Sequence, residues 1–294
     1  MRGAANEREH SMAKVALLTL HGMGEAREDY SDDLIAGLTR RLQARIKDVV
    51  VRSVHYRKPL QANENAVWRR VKAHNGVHYD DLRKFLLFGF ADAAGLESRK
   101  EIPGSAYEDA QIEIARAMLK ACDVLGGDGP VVVISQSLGC QVFSCYLYDA
   151  WKHAKGETPG IWADIDRFGK AIAGRDLTSR EKSFLAGATV RRWITTGCNI
   201  PIFVAAHKQM KVKPIEAPTQ DFRWLNLYDP DDVLGWPLQP LSEGYRTLVE
   251  DRAINSGRGA VDWILKSWNP MSHTAYWRDE QVLGPLEAML REFL

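Results

Sequence analysis

Cysteine is scarce in this chain, and the little there is shows no metal-ligand spacing. Of Cys122, Cys140, Cys145 and Cys198, three sit in apolar segments as small core side chains do, so no metal is implied and a reduced, cytoplasmic setting is expected. An excess of charge of either sign is also missing. With 39 basic against 38 acidic residues the formal net charge is +1, and no overall field draws the chain to nucleic acid or to an anionic membrane. No window approaches the roughly 20 uncharged residues of a membrane-spanning helix. Residues 1–14 are polar, lack the apolar run of a signal peptide and read as a flexible leader. His74 and His78 have the spacing of a metal pair on one helix face, but Asn75-Gly76 between them weakens that helix, and solvated histidines are expected instead.

What is present is apolar substance in short runs. Hydrophobic residues make up 45% of the 294, enough for one substantial core, and a single α/β domain over 15–294 is expected. Val15–Leu20 is a continuous apolar run of the kind buried on both faces of a parallel sheet. It delivers His21-Gly22-Met23-Gly24 at its carboxyl end, the edge at which open α/β sheets bind ligands. Ser31 is placed to cap a helix with acids in its first turn and Leu34, Ile35, Leu38, Leu42 and Ile46 at helical spacing. A strand over 49–56 follows.

Residues 61–104 then break the rhythm with two helical stretches, near 67–73 and 80–96, and an insertion here is expected over the carboxyl edge as a cap. Within it the Phe85–Phe90 run is unusually apolar. Phe85 and Phe88 are candidates for a substrate pocket; docking on a lipid surface and packing on the core are the alternatives. A helix over 107–124 precedes the apolar run Val131–Ile134. Residues 154–189, with mixed charge and several glycines, read as a second irregular excursion near the site entrance. Strands over 190–198 and 222–228 and a closing helix over 279–294 complete the chain.

The chemistry gathers at Ser135-Gln136-Ser137-Leu138-Gly139, which follows an apolar strand and precedes the buried helical stretch Cys140–Leu147. Strand, tight turn about one serine and helix resemble the nucleophile elbow of α/β-hydrolases, whose pattern is Gly-x-Ser-x-Gly; here Ser135 stands for the first glycine. A serine hydroxyl is barely ionised at neutral pH and needs a general base, itself oriented by an acid. In that fold the three follow in the order Ser, Asp or Glu, His. His273 lies before the last helix and is the expected base, since no other histidine follows His207. The acid lies among Asp229, Asp231 and Asp232, too crowded for all three to be desolvated, so one is expected to turn inward and the others to face water.

The stretch Asn226-Leu227-Tyr228-Asp229-Pro230-Asp231-Asp232-Val233-Leu234-Gly235-Trp236-Pro237-Leu238-Gln239-Pro240-Leu241 resembles the acid loop of DDHD-domain and related lipase-like α/β-hydrolases. Laid residue on residue, that family's acid falls on Asp232, while Asp229, Val233, Pro237 and Gln239 replace its His, Pro, Arg and Glu. The resemblances imply an α/β-hydrolase fold: a mostly parallel central sheet, helices on both faces, and cap insertions at 61–104 and 154–189. They imply a serine hydrolase that cleaves a carboxylic ester, a small molecule or a lipid, through an acyl-Ser137 intermediate. His273 is then base and acid in turn, Asp232 orients it, and the Met23 and Leu138 amides form the oxyanion hole. His21 braces the loop at the pocket, and no cofactor or metal is required. Acyl transfer to an alcohol or amine with the same triad is one alternative. A non-catalytic scaffold of the same fold, with the Phe85–Phe90 run as its contact surface, is another.

Overall fold

The computed structural model describes residues 13–23, 27–56, 58–74, 78–97, 102–206, 212–256 and 276–294. Strand β1 (Val15–Leu20) is buried along its whole length: it pairs in parallel with β2 (Val49–Val54) on one side and β3 (Val131–Gln136) on the other, and helices cover both of its faces. Beyond β3 lie β4 (Val190–Thr196), β5 (Arg223–Tyr228) and β6 (Val249–Ala253), each parallel to its neighbour, so the six-stranded sheet has the order β2-β1-β3-β4-β5-β6. The helices are α1 (Asp32–Leu42), α2 (Lys58–His74), α3 (Asp80–Glu97), α4 (Ala106–Val124), α5 (Leu138–Ala154), α6 (Ile165–Ala173), α7 (Ser179–Leu185), α8 (Ile200–Ala205), α9 (Glu243–Leu248) and α10 (Glu280–Arg291).

Successive side chains of a strand point to opposite faces, so each strand feeds two cores. Val15, Leu17, Val132 and Ile134 meet Leu34 and Leu38 of α1 and Val282, Leu283 and Leu286 of α10. Ala16, Leu18, Leu20, Val131 and Val133 meet Ile114 and Met118 of α4 and Phe143 of α5 on the other face. Cys122, Cys140 and Cys198 are buried free thiols, in keeping with small core side chains. No described helix is long and apolar enough to cross a membrane.

Several local expectations change. Ser31 precedes α1, but its backbone is already helical (φ −96°, ψ −2°) and its hydroxyl bonds Ser53 Oγ at 2.8 Å instead of capping. Ile46 belongs to a separate 3-10 turn, Gln43–Asp48. Residues 154–189, expected to be irregular, fold as a 3-10 turn (Gly160–Asp164) followed by α6 and α7. They join the C-terminal end of α5 to the N-terminal end of β4, and Ile161, Trp162, Phe168, Phe184 and Leu185 pack into the α4–α5 side of the core. Strand β6 and helix α9 have no counterpart in the sequence reading. Val249-Glu250-Asp251-Arg252-Ala253 is short and charged, as suits an edge strand that must not pair further.

Helix α7 starts from a reciprocal cap: Thr178 Oγ1 accepts from the Glu181 amide, and the Glu181 carboxylate accepts from the Thr178 amide. Arg175, and after it the Thr178 amide, hold the Glu181 carboxyl at about 2 against an ordinary 4.5. A carboxyl lowered on folding stabilises above its unfolded value, and the effect is lost as pH falls through the folded one. Glu181→Ala is therefore expected to lose about 1 kcal/mol in urea unfolding near neutral pH. The gap to wild type should close as pH drops from 4.5 toward about 2.

Candidate active site

From β1 the chain moves outward to β2 and then crosses to β3 on the other side of β1, so the sheet's winding reverses between β1 and β3. Such a switch point leaves a crevice outside the carboxyl ends of the two strands. Register aligns those ends: Leu20 lies opposite Ser135, Gln136 opposite Thr196, and Thr196 opposite Leu227. The loops His21–Met23, Ser137, Gly197 and Asp229–Asp232 therefore leave the sheet along one edge.

Ser137 turns from β3 into α5 at φ 51° and ψ −121°, a conformation costing about 1–3 kcal/mol for a residue with a Cβ. Neighbours hold it there. Its amide donates to the Thr196 carbonyl at 3.0 Å, and its carbonyl accepts from the Cys140 amide at 3.0 Å. The side chain is fully buried, and Oγ has no hydrogen-bond partner among the described residues. The next residue, Leu138, opens α5, so its amide has no partner within the helix. Gly139 sits so close to the end of β1 that a Cβ there would lie 2.5 Å from the His21 carbonyl oxygen. A Cβ on Gly22 would lie 2.8 Å from Ser137 Cβ, which places the His21–Met23 loop directly against the serine.

Ser135, irregular at the sequence level, has a defined job. Its Oγ accepts from the Trp193 indole N–H at 2.8 Å and donates to Cys140 Sγ at 3.3 Å. A glycine here would leave the buried indole N–H without that acceptor.

His21 is built into a brace. Its ring stacks on Tyr56 at 4.4 Å and meets Tyr30 edge-on at 4.9 Å, while the Tyr56 hydroxyl donates to the His21 carbonyl at 2.8 Å. His21 Nδ1 lies 2.9 Å from the Gly22 carbonyl oxygen, and since a carbonyl only accepts, Nδ1 carries the proton. In a trans peptide the N–H points opposite to the C=O, so fixing the Gly22 carbonyl also fixes the direction of the Met23 amide. Met23 in turn packs against α3, where its Sδ lies 2.7 Å from the place a Cβ on Gly89 would take. On that helix Phe88 is fully buried, Phe85 half-buried and Phe90 exposed.

In the acid loop two carboxylates turn inward, not one. Asp229 Oδ2 accepts from the Ser256 amide at 2.7 Å and hydroxyl at 3.0 Å, and its Oδ1 accepts from the Asp231 amide at 2.9 Å. Asp232 Oδ1 accepts from the Leu234 amide at 3.0 Å and Oδ2 from the Tyr276 hydroxyl at 2.9 Å. Separate donor sets let both be buried, while Asp231 is exposed. Sequence reasoning missed Ser256 and Tyr276, because neither carries a signal that links it to a carboxylate far away in the chain. His273 lies outside the described residues.

A parallel sheet of this order, helices on both faces and a strained serine between β3 and α5 make this an α/β-hydrolase-type fold. No family model and no curated protein matches the chain. Among solved structures, an iodinated complex of acetyl xylan esterase superposes with a TM-score of 0.42 at 10% identity, covering 96% of this chain and 99% of the other. A second acetylxylan esterase structure gives a TM-score of 0.38 at 11% identity with the same coverage.

Gly139→Ala tests the contact between elbow and β1. A Gly-to-Ala change inside an exposed helix stabilises by about 1 kcal/mol. Here the methyl meets backbone that cannot move aside, and a loss of about 1–3 kcal/mol is expected in urea unfolding.

Proposed function

We propose that this chain is a serine hydrolase that cleaves a carboxylic ester through an acyl-Ser137 intermediate. The observation that carries the proposal is Ser137 itself: a buried serine held at positive φ, its Oγ without a partner among the described residues, at the switch point of the sheet and against the Gly22 loop. Strain of this kind is maintained where a side chain must be presented to a reacting atom.

In the proposed mechanism Ser137 Oγ attacks the ester carbonyl carbon while His273 takes its proton. The carbonyl oxygen becomes an oxyanion facing the Leu138 and Met23 amides, the first at a helix start with no partner within the helix and the second aimed through the His21 brace. Collapse of the tetrahedral intermediate breaks the carbon–oxygen bond, and His273 returns the proton to the departing alcohol. Water, activated by the same imidazole, then releases the acid and restores Ser137. Asp232 orients the imidazole. Its burial with one oxygen on a backbone amide and the other on a hydroxyl supports this choice over Asp231, which faces water. Asp229 is buried and bonded in the same manner, and the resemblance of the acid loop to the DDHD type is what favours Asp232 over it. Phe85, half-buried on the helix that packs against Met23, is the acyl-pocket candidate, whereas full burial makes Phe88 a packing residue.

Labelling with a fluorophosphonate probe tests this reading. Wild type is expected to be phosphonylated at Ser137, and Ser137→Ala not at all. Asp232→Asn and His273→Ala should react slower by about a thousandfold or more, while Asp231→Asn reacts as wild type. Equal labelling of Ser137→Ala, with the protein folded, would sink the assignment.

A further inference from the structure

Asp232 is held by Tyr276, a residue from a different part of the chain, and the bond between them has a fixed direction. The Tyr276 oxygen lies 3.0 Å from the Asp229 amide and 2.9 Å from Asp232 Oδ2. An amide N–H can only donate, so the phenol oxygen accepts there and its proton goes to Asp232. Burial first, and then the nearby Asp232 charge, push the Tyr276 hydroxyl far above its ordinary range, so it stays a neutral donor. The second carboxylate oxygen is bound independently by the Leu234 amide at 3.0 Å.

Packing closes the pair. A Cβ on Gly235 would lie 2.7 Å from Asp232 Oδ2, 3.0 Å from the Tyr276 oxygen and 3.0 Å from Gly197 Cα, so only a hydrogen fits on that side. Tyr276 begins a 3-10 turn, Tyr276–Arg278, whose next residue, Trp277, donates its indole N–H to Thr196 Oγ1 at 3.3 Å. Thr196 is the last residue of β4, and its carbonyl binds the Ser137 amide. The same short turn is thus tied to the acid loop through Tyr276 and to the strand that supports the elbow through Trp277. In the sequence His273 precedes Tyr276 by three positions.

We infer that Tyr276 is a positioning residue for the triad: its hydroxyl, set by the Asp229 amide, donates to Asp232 Oδ2 and fixes the plane in which that carboxylate faces the base. This rests on the proposed roles of Ser137, Asp232 and His273. Tyr276 does not touch substrate and acts only through Asp232. A tyrosine that merely fills the core would lower activity, if at all, whatever stood at position 232.

A double-mutant cycle separates the two. Hydrolysis of p-nitrophenyl butyrate and labelling at Ser137 by a fluorophosphonate are measured for wild type, Tyr276→Phe, Asp232→Asn and the double variant, with a melting temperature for each. Tyr276→Phe is expected to lower kcat about tenfold and change KM less than about twofold. In the Asp232→Asn background the same substitution should change kcat less than about twofold, since there is no carboxylate left to position. Equal fold losses in both backgrounds, or an unchanged kcat in folded Tyr276→Phe, overturn the inference. If Tyr276→Phe does not fold, Gly235→Ala, which forces a methyl against the same two oxygens and keeps the phenol, goes through the same cycle with the same masking expected. Failure of the enzyme reading looks different: wild type itself would not be labelled at Ser137. Labelled wild type with equal losses in both backgrounds removes only the role of Tyr276.

Discussion

The close approach of α5 to the carboxyl end of β1 sets the geometry of the whole edge. Gly139 lies against the His21 carbonyl and Gly22 lies against Ser137, so two loops more than a hundred residues apart meet with no side chain between them. Everything that could take part in acyl transfer is referenced to that contact. In the proposed reaction the helix start supplies one amide and the loop after β1 the other; the serine between them is kept at positive φ by bonds to Thr196 and Cys140. Rigidity at this point comes from backbone, which cannot change rotamer to relieve strain.

A buried polar chain runs behind that contact. Ser135 Oγ accepts from Trp193, whose indole stacks on Trp224 at 4.0 Å; Trp224 donates to Thr195, and Thr195 donates to Asn226 Oδ1 at 2.8 Å. Asn226 donates in turn to Asp251, which also receives the Leu238 and Gln239 amides. The Trp193 and Trp224 indoles fill the sheet's centre while both their N–H groups are satisfied, a combination that fixes one arrangement of strands β3 to β6. The acid loop is anchored to the same network at Leu238 and Gln239, so the elbow and Asp232 belong to one continuous set of contacts.

How much of this was legible depended on how local the signal was. Val15–Leu20 and Val131–Ile134 announced buried parallel strands because both faces are covered, and the elbow was legible from its strand, serine and helix in succession. The expectation that Asp232 is the acid came from a resemblance alone, and the rule that crowded carboxylates cannot all be buried underestimated the loop: Ser256 brings donors to Asp229 that local sequence does not show. Ser135 looked like a tolerated substitute for glycine until Trp193 placed its indole N–H on it. Strand β6 escaped because an edge strand needs only one buried face and carries charge. Tyr276 escaped for the opposite reason: a buried tyrosine is ordinary until its hydroxyl is seen between two groups of the acid loop.

In the proposed reaction the elbow serine and two backbone amides, one on each side of the β1–β3 crevice, form a single oxyanion-binding centre. A crystal structure of the phosphonylated protein tests it most directly. Phosphorus is expected on Ser137 Oγ, with the phosphonyl oxygen about 2.7–3.1 Å from both the Met23 and the Leu138 amide nitrogens. Phosphorus on Ser137 with that oxygen turned away from both amides would contradict it.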